Sequence, residues 1–474
     1  MLNVDELLLK WATTTPSSLA FVDEDREVTF AELNLDVRKV ATALAQAGIS
    51  RGDIVVIALP PYLGWNCALA LQLLGATILP RSIETSFPDE ISPDWHIALT
   101  VDTNFSNTPL ILFDNALLDK IKQAAPIASA PGYANQSDVN FLFSTSGTTG
   151  LKKYVAMSSI DLSSQVDQIW PSDLYSKDEI LTLPLFGGWW ATAQAYKRLA
   201  VGKAFLNCGV VDQRLLNLLH KNSVRTLSGS PSQISALMDL MQKTGIQLPE
   251  IETFILGGNI PTQTFIDRIR EKFSARIFDA YGSTEGGAIA TRELTKSTPK
   301  GGEIFSEVEV EIIDENEAVV PVGTAGQIRY RRTVMAKEYH LNPRATSEFF
   351  KDGYFYPGDL GYIDEFGHLV ISGRISEIIN LGGVKISPDF IDAAAITQPG
   401  VKDCAAFAFV AEDGVEKLAV AVVVDGNFKP EDFKKNIWDQ TRANPAIILE
   451  VQQIPRNPTG KVLRDQLSKM QSQS

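Results

Sequence analysis

Gly52-Asp53-Ile54-Val55-Val56-Ile57-Ala58-Leu59 is an unbroken apolar run entered through a Gly-Asp turn. Nothing polar alternates within it, so both faces must be buried, as in a strand of a parallel sheet. Upstream, Thr29 and Glu32 have capping-box spacing, and Phe30, Leu33, Val37, Val40 and Leu44 follow at helical intervals. Downstream, residues 64–74 carry a helical pattern and Ala76 to Leu79 the next strand. Strand, helix and parallel strand in that order predict an α/β layered core. The pattern returns at Thr253 to Leu256, ending in Gly257-Gly258, and at Arg276 to Ala280, ending in Tyr281-Gly282. Ligands of open α/β sheets gather beyond the carboxyl ends of such strands.

From about 303 to 333 the texture becomes strands with a tight turn at Asp314-Glu315-Asn316, which predicts an antiparallel β module. After Gly373 it changes again. Residues 404–410 and 417–424 read as a hairpin around Asp413-Gly414, followed by a helix at 430–442, a strand at 446–454 and a terminal helix. That is a small α+β unit of ordinary domain size. A chain of 474 residues exceeds one ordinary core, so more than one domain is expected.

A net charge of −14 argues against a nucleic-acid partner. Cys67, Cys208 and Cys404 are far apart, which predicts reduced, buried thiols rather than a disulfide framework. The histidines His96, His220, His340 and His368 include no pair at ligand spacing, which argues against zinc. The opening MLNVDELLLKW carries acids where a signal peptide needs bases. No stretch approaches the roughly 18 apolar residues of a membrane span. A cytoplasmic enzyme is the expectation.

Ser144-Thr145-Ser146-Gly147-Thr148-Thr149-Gly150, followed by Leu151-Lys152-Lys153, lies between Phe141–Phe143 and Tyr154–Met157. This predicts strand–loop–strand, unlike the strand–loop–helix of a Walker motif. Glycines let backbone N–H groups turn inward and hydroxyls add donors, so such a loop can wrap a polyphosphate.

The residues from Thr145 to Lys153 resemble the T-S-G-[ST]-T-G-x-P-K-G signature of the adenylate-forming, AMP-binding superfamily, and the chain is closest in character to its acyl-CoA synthetases. Lys152 stands for the usual Pro and Tyr154 for the usual Gly. The resemblance continues in family order through Gly257-Gly258-Asn259-Ile260-Pro261, Tyr281-Gly282-Ser283-Thr284-Glu285, Tyr356-Pro357-Gly358-Asp359, Gly373-Arg374-Ile375-Ser376-Glu377 and Pro455-Arg456-Asn457-Pro458-Thr459-Gly460-Lys461.

The resemblance implies ATP-dependent activation of a small carboxylic acid. An acyl-adenylate forms with release of pyrophosphate, and a thioester with CoA follows. It implies that Thr145, Ser146, Gly147, Thr148, Thr149, Gly150 and Lys153 wrap phosphates, and that Gly257, Gly258 and Asn259 line adenine. Tyr281 would pack on adenine, with Gly282 and Ser283 beside it. Thr284 would contact the α-phosphate, Glu285 would hold Mg²⁺, Asp359 the ribose and Arg374 the nucleotide. Lys461 would be the catalytic lysine and Ser376 the hinge between a large domain, residues 1–375, and a small mobile domain, 376–474. Phe186, Gly187, Trp189 and Trp190 are candidates for the acyl pocket; the alternative for the tryptophans is core packing. Gly187 stands where many acyl-CoA synthetases have His, and Phe390 where the small domain usually has Glu. Two rival readings remain: a ligase that loads the phosphopantetheine of a carrier protein, and a catalytically silent nucleotide-binding homologue.

Overall fold

The computed structural model of the chain describes residues 3–80, 91–101, 108–145, 153–168, 180–183, 187–208, 211–248, 250–258, 260–261, 263–295, 301–381, 384–411, 416–456 and 462–471. The apolar run forms the strand Ile54–Ala58, paired in parallel with Thr77–Pro80 and with Trp95–Ala98. These belong to a six-stranded sheet that ends in the antiparallel pair Val139–Thr145 and Lys153–Ser158. The expected strand–loop–strand is therefore present. A second, nine-stranded sheet has a parallel centre, with Thr226–Gly229, Thr253–Gly257 and Arg276–Ser283 side by side.

Helices Pro61–Leu74 and Trp189–Val201 lie between the two sheets. Trp65 packs edge-on against Tyr196 (ring centroids 4.9 Å apart) and against Phe205 of the nine-stranded sheet. Tyr196 in turn meets Phe141 of the six-stranded sheet. Burial from both sides explains why Pro61–Leu74 is apolar around nearly its whole circumference. This helix begins three residues before the sequence pattern suggested, because Pro61 takes the first helical position, where its missing N–H costs no bond. Phe30–Ala47 starts on the capping box: Thr29 accepts from the Glu32 backbone, and the Glu32 carboxylate accepts from Thr29 N–H at 2.8 Å.

The β module pairs Val308–Ile313 with Gly326–Arg332, and extends through Asp359–Ile363 to Leu369–Arg374. Beyond it, Val401–Val410 and Glu416–Val424 form the expected antiparallel pair, with Ile447–Glu450 added in parallel. That third strand is shorter than its apolar pattern. The tip at Asp413-Gly414 lies outside the described residues.

The C-terminal segment has a core of its own, in which Ile379, Ile391, Val420, Phe433 and Ile437 are buried together. Its polar keystone is Arg464. The guanidinium donates to Glu377 at 2.8 Å, to Asp389 at 2.8 Å, to Asp392 at 2.6 Å and to the Ala406 carbonyl at 2.9 Å. Burial pushes the Asp392 carboxyl up to about 7, against the pull of Arg464. Replacing Arg464 by Met leaves a buried acid beside Asp389 without its hydrogen-bonded cation, an arrangement that costs about 3–5 kcal/mol. A carboxyl whose folded pKa exceeds its unfolded pKa stabilises at low pH, and that stability is lost as pH rises through the folded value. The Arg464→Met deficit is therefore expected to be larger at about pH 8 than at about pH 5. Calorimetric unfolding at both pH values checks this; a deficit independent of pH would mean that Asp392 does not carry it.

Candidate functional site

The strands Thr253–Gly257 and Arg276–Ser283 end side by side, with Gly257 opposite Ala280. Past that edge the chain reverses at Thr284-Glu285-Gly286 and returns as Gly287–Glu293. Tyr281 to Glu285 thus form the end of a strand and its turn, at the carboxyl edge where ligands of such sheets collect. Ser283 holds the turn: its hydroxyl accepts from the N–H groups of Glu285 and Gly286, both at 3.1 Å, and pairs with Tyr330 Oη at 2.8 Å. Its hydroxyl is engaged in the architecture of the site.

Two clusters stand at the ends of this pentapeptide. At the first, Tyr281 donates its hydroxyl to Asp359 at 2.6 Å, and Arg374 Nε lies 3.1 Å from the other carboxylate oxygen. Asp359 is 5% exposed. Register places Asp359 directly opposite Arg374 on neighbouring strands, so the pairing follows from the sheet itself. Burial and the adjacent Asp359 carboxylate hold the Tyr281 phenol well above its ordinary range, so it stays a donor.

At the second cluster, Glu285 is 6% exposed and accepts from Tyr339 Oη at 2.6 Å. Its second carboxylate oxygen makes no hydrogen bond among the described residues. Lys153 begins the strand after the Ser/Thr/Gly loop. Its ammonium stands 3.5 Å from the Phe349 ring centre and 5.0 Å from that of Tyr339. Burial lowers the Lys153 pKa, while Glu285 and Glu348 pull it back. Thr145, at the other end of the same loop, has a buried hydroxyl with no hydrogen-bond partner among the described residues. A buried cation, a carboxylate with a spare oxygen and an orphaned hydroxyl suit a ligand that brings both phosphate oxygens and a hard metal ion.

Thr284 is half-buried at the tip of the turn. Gly257 and Gly258 end their strand as expected, and Gly258 adopts φ +86°. Trp189 and Trp190 open the helix Trp189–Val201 and are half-buried. Gly187 lies just before them at φ +118°, a conformation glycine adopts without strain and histidine does not. Ser146, Gly147, Thr148, Thr149, Gly150, Asn259, Phe186 and Lys461 lie outside the described residues, as does the side chain of Ser376. The Ser376 backbone falls in the short 3₁₀ turn Ile375–Glu377, directly after the strand that carries Arg374.

Tyr339, Tyr330 and Phe349 were not singled out in the sequence. Tyr339 reaches Glu285 from 54 positions away, and no local pattern marks it. The one available signal was the Asn342-Pro343 helix start just beyond it, which orients the chain there.

The sequence profile described as "AMP-binding enzyme" matches residues 8–92 and 97–340. Among curated relatives, the long-chain-fatty-acid–CoA ligase FadD13 of Mycobacterium tuberculosis (strain ATCC 25618 / H37Rv) is 26% identical over 508 residues, covering 100% of this chain and 99% of that one. A 4-coumarate–CoA ligase of Nicotiana tabacum is 28% identical over 480 residues, covering 93% and 88%. Among solved structures, the o-succinylbenzoate CoA synthetase of Bacillus subtilis, in complex with ATP and magnesium ion, aligns with a TM-score of 0.82 at 22% identity, over 97% and 98% of the two chains. The profile match spans well over half of the sequence and includes the strand ends, the hydroxyl-rich loop and the Glu285 turn, so the chain belongs to the AMP-binding enzyme family.

Proposed function

We propose that this enzyme activates a small carboxylic acid with ATP, releasing pyrophosphate, and passes the acyl group from the resulting acyl-adenylate to the thiol of CoA. The observation that carries this is the placement of the two clusters at opposite ends of Tyr281–Glu285, one suited to a ribose and the other to metal and phosphates. The names of the full-length relatives, all ligases of acids to CoA, support the same reading.

A carboxylate is a poor acyl donor because oxide would have to leave. Its oxygen attacks the α-phosphorus of ATP, the bond to the bridging oxygen breaks, and pyrophosphate departs with the electron pair. Such a displacement needs positioning and charge neutralisation more than covalent help. Asp359, acceptor-only on its oxygens, takes the ribose hydroxyls while Tyr281 and Arg374 fix its orientation. Glu285 is the residue that would hold Mg²⁺, which when bound would supply charge neutralisation for the phosphates. Lys153 and the hydroxyl of Thr145 offer donors from the loop, and Thr284 faces the α-phosphate. Lys461 brings a cation to the acid and α-phosphate as charge redistributes. In the second step the thiol loses its proton, its sulfur attacks the acyl carbon, and AMP leaves.

The unit that carries Lys461 is taken as residues 376–474, turning on Ser376 relative to residues 1–375. The separate core around Ile391 and Phe433 supports that division. A cytoplasmic location is part of the proposal; the three buried, free cysteines favour it. No helix of the described residues is long and apolar enough to cross a membrane. Pyrophosphate release against a panel of carboxylic acids tests the whole reading; no acid-dependent release by the folded protein would favour the silent homologue.

Tyr339→Phe removes one hydrogen bond from Glu285 and keeps the ring beside Lys153. A bond to a charged group contributes about 1.5–3 kcal/mol, so Mg²⁺-dependent ATP binding is expected to weaken about tenfold or more. Calorimetric titration with ATP, with and without Mg²⁺, reads this directly; an unchanged metal dependence would detach Tyr339 from the metal. Lys461→Ala is expected to leave ATP binding largely intact and to slow adenylate formation roughly 10²–10³-fold. Acid-dependent ATP–pyrophosphate exchange near the wild-type rate would overturn the role of Lys461.

Ser376→Pro fixes φ and removes a backbone donor at the proposed hinge. Where the proline traps the adenylating arrangement of the backbone at Ile375–Glu377, adenylation is expected to survive better than thioester formation, with Ser376→Ala mild by comparison. Equal loss of both half-reactions in a variant that melts normally would place the hinge elsewhere.

A further inference from the structure

Trp189 and Trp190 begin one helix, but they face different sheets. Trp189 meets Phe143 of the six-stranded sheet edge-on, with ring centroids 5.6 Å apart. Trp190 turns to the nine-stranded sheet, where its Nε1 donates to Ser228 Oγ at 2.9 Å. The outer edge of the six-membered ring of its indole abuts Gly257, so closely that a Cβ built there would overlap the ring. Ser228 and Gly257 end adjacent parallel strands, with Ser228 opposite Ile255. Behind the ring, Ile180, Ala193, Ile255 and Phe278 form a buried cluster against which both tryptophans and Ala280 pack. The indole is thus tethered at its nitrogen, seated on a glycine and backed by core, yet Trp190 remains half-buried rather than closed off. The ring sits at the carboxyl end of the strand Thr253–Gly257, where Gly257 lies opposite Ala280 and Tyr281 follows.

We propose that the Trp190 indole is the floor of the acid pocket and restricts the enzyme to compact acids, short aliphatic or single-ring, excluding long-chain fatty acids. The proposal rests on the reading of the site as one that adenylates acids. An extended methylene tail would need the volume that the ring fills. A ring held at both ends cannot swing aside as an untethered side chain could. Aromatic side chains make such floors well, because they cover a large area with few torsions to fix. Gly257 supports the ring: with any larger residue there, the ring could not lie at this depth.

The test uses the full-length protein and a series of acyl-sulfamoyl adenosines, stable mimics of the acyl-adenylate, carrying acetyl, benzoyl, hexanoyl and dodecanoyl groups. Binding is measured by calorimetry, beside pyrophosphate release with the matching free acids. A pocket discriminates roughly 10–200-fold on a single methylene. The dodecanoyl mimic is therefore expected to bind wild type at least about a hundredfold more weakly than the best compact one. Trp190→Ala should shrink that gap to about tenfold or less, chiefly by tightening the long-chain mimic. Trp190→Phe, which keeps a ring and loses the bond to Ser228, should fall between; it also serves if the alanine variant does not fold. Equal binding of long and compact mimics by wild type, or a gap unchanged in Trp190→Ala, would overturn the floor. Compact-over-long binding without any acid-dependent pyrophosphate release would overturn the catalytic reading and leave the floor standing. Failure of every mimic to bind would overturn both.

Discussion

A carboxylate taken out of water must be paired or hydrogen-bonded, or it gives up its charge. Glu285, 6% exposed, sits under that constraint, and much of the candidate site is arranged to meet it. Tyr339 donates to one of its oxygens, and its charge draws the Lys153 pKa upward against the effect of burial. Among the described residues Lys153 has no carboxylate in contact; aromatic faces lie against its ammonium instead. That leaves both charges incompletely compensated. Such an arrangement is costly for a free protein and apt for one that receives an anionic ligand with its metal ion. The phenol that serves Glu285 must keep its proton, and burial beside that carboxylate drives the Tyr339 pKa far up. The donor is fixed in its role by the charge it stabilises.

The same logic links the two ends of the Tyr281–Glu285 turn. Ser283 ties the turn to Tyr330, and Arg332, two residues further along that strand, donates to the Gly286 carbonyl at 2.9 Å. The β module, through residues 330 and 332, therefore sets the shape of a turn that belongs to the parallel sheet. Asp359 comes from this same module and reaches Tyr281. One antiparallel sheet thus places both partners of the pentapeptide, and a shift of its register by one residue would withdraw them together.

How much of this was legible in the sequence follows from distance along the chain. The strand Ile54–Ala58, the capped helix Phe30–Ala47 and the hairpin of 401–424 are signalled by adjacent residues, through apolar runs, caps and alternation, and the structure has them. The residues proposed for the nucleotide site were legible because each sits in a compact local pattern. Their partners were not: Tyr339, Phe349 and Tyr330 act through contacts over dozens of residues, and a tyrosine in a loop carries no period. Trp190 is an intermediate case. The pair Trp189-Trp190 stood out by composition, but whether it was core or pocket depended on Gly257, 67 positions later by subtraction of the two residue numbers. The structure packs it against the core around Ile255 and Phe278 and leaves it half-buried, the arrangement on which its proposed place in the pocket rests.

The positions at which the sequence departs from the family pattern gain a physical reading from their surroundings. At Gly187 the backbone has a positive φ, and a Cβ there would come within 3.3 Å of Pro80, so a histidine at this position would be strained. Phe390 is 54% exposed on the helix Pro388–Ala395, while Asp389 and Asp392 on the same helix bind Arg464. Arg464 also binds Glu377, which directly follows Ser376. The residue after the proposed hinge and the segment just beyond Lys461 are thus held by a single guanidinium. A rotation that begins at residue 376 would be transmitted to the lysine loop through that contact as well as through the strands. What the hinge itself must provide is then only backbone torsion, for which serine suffices.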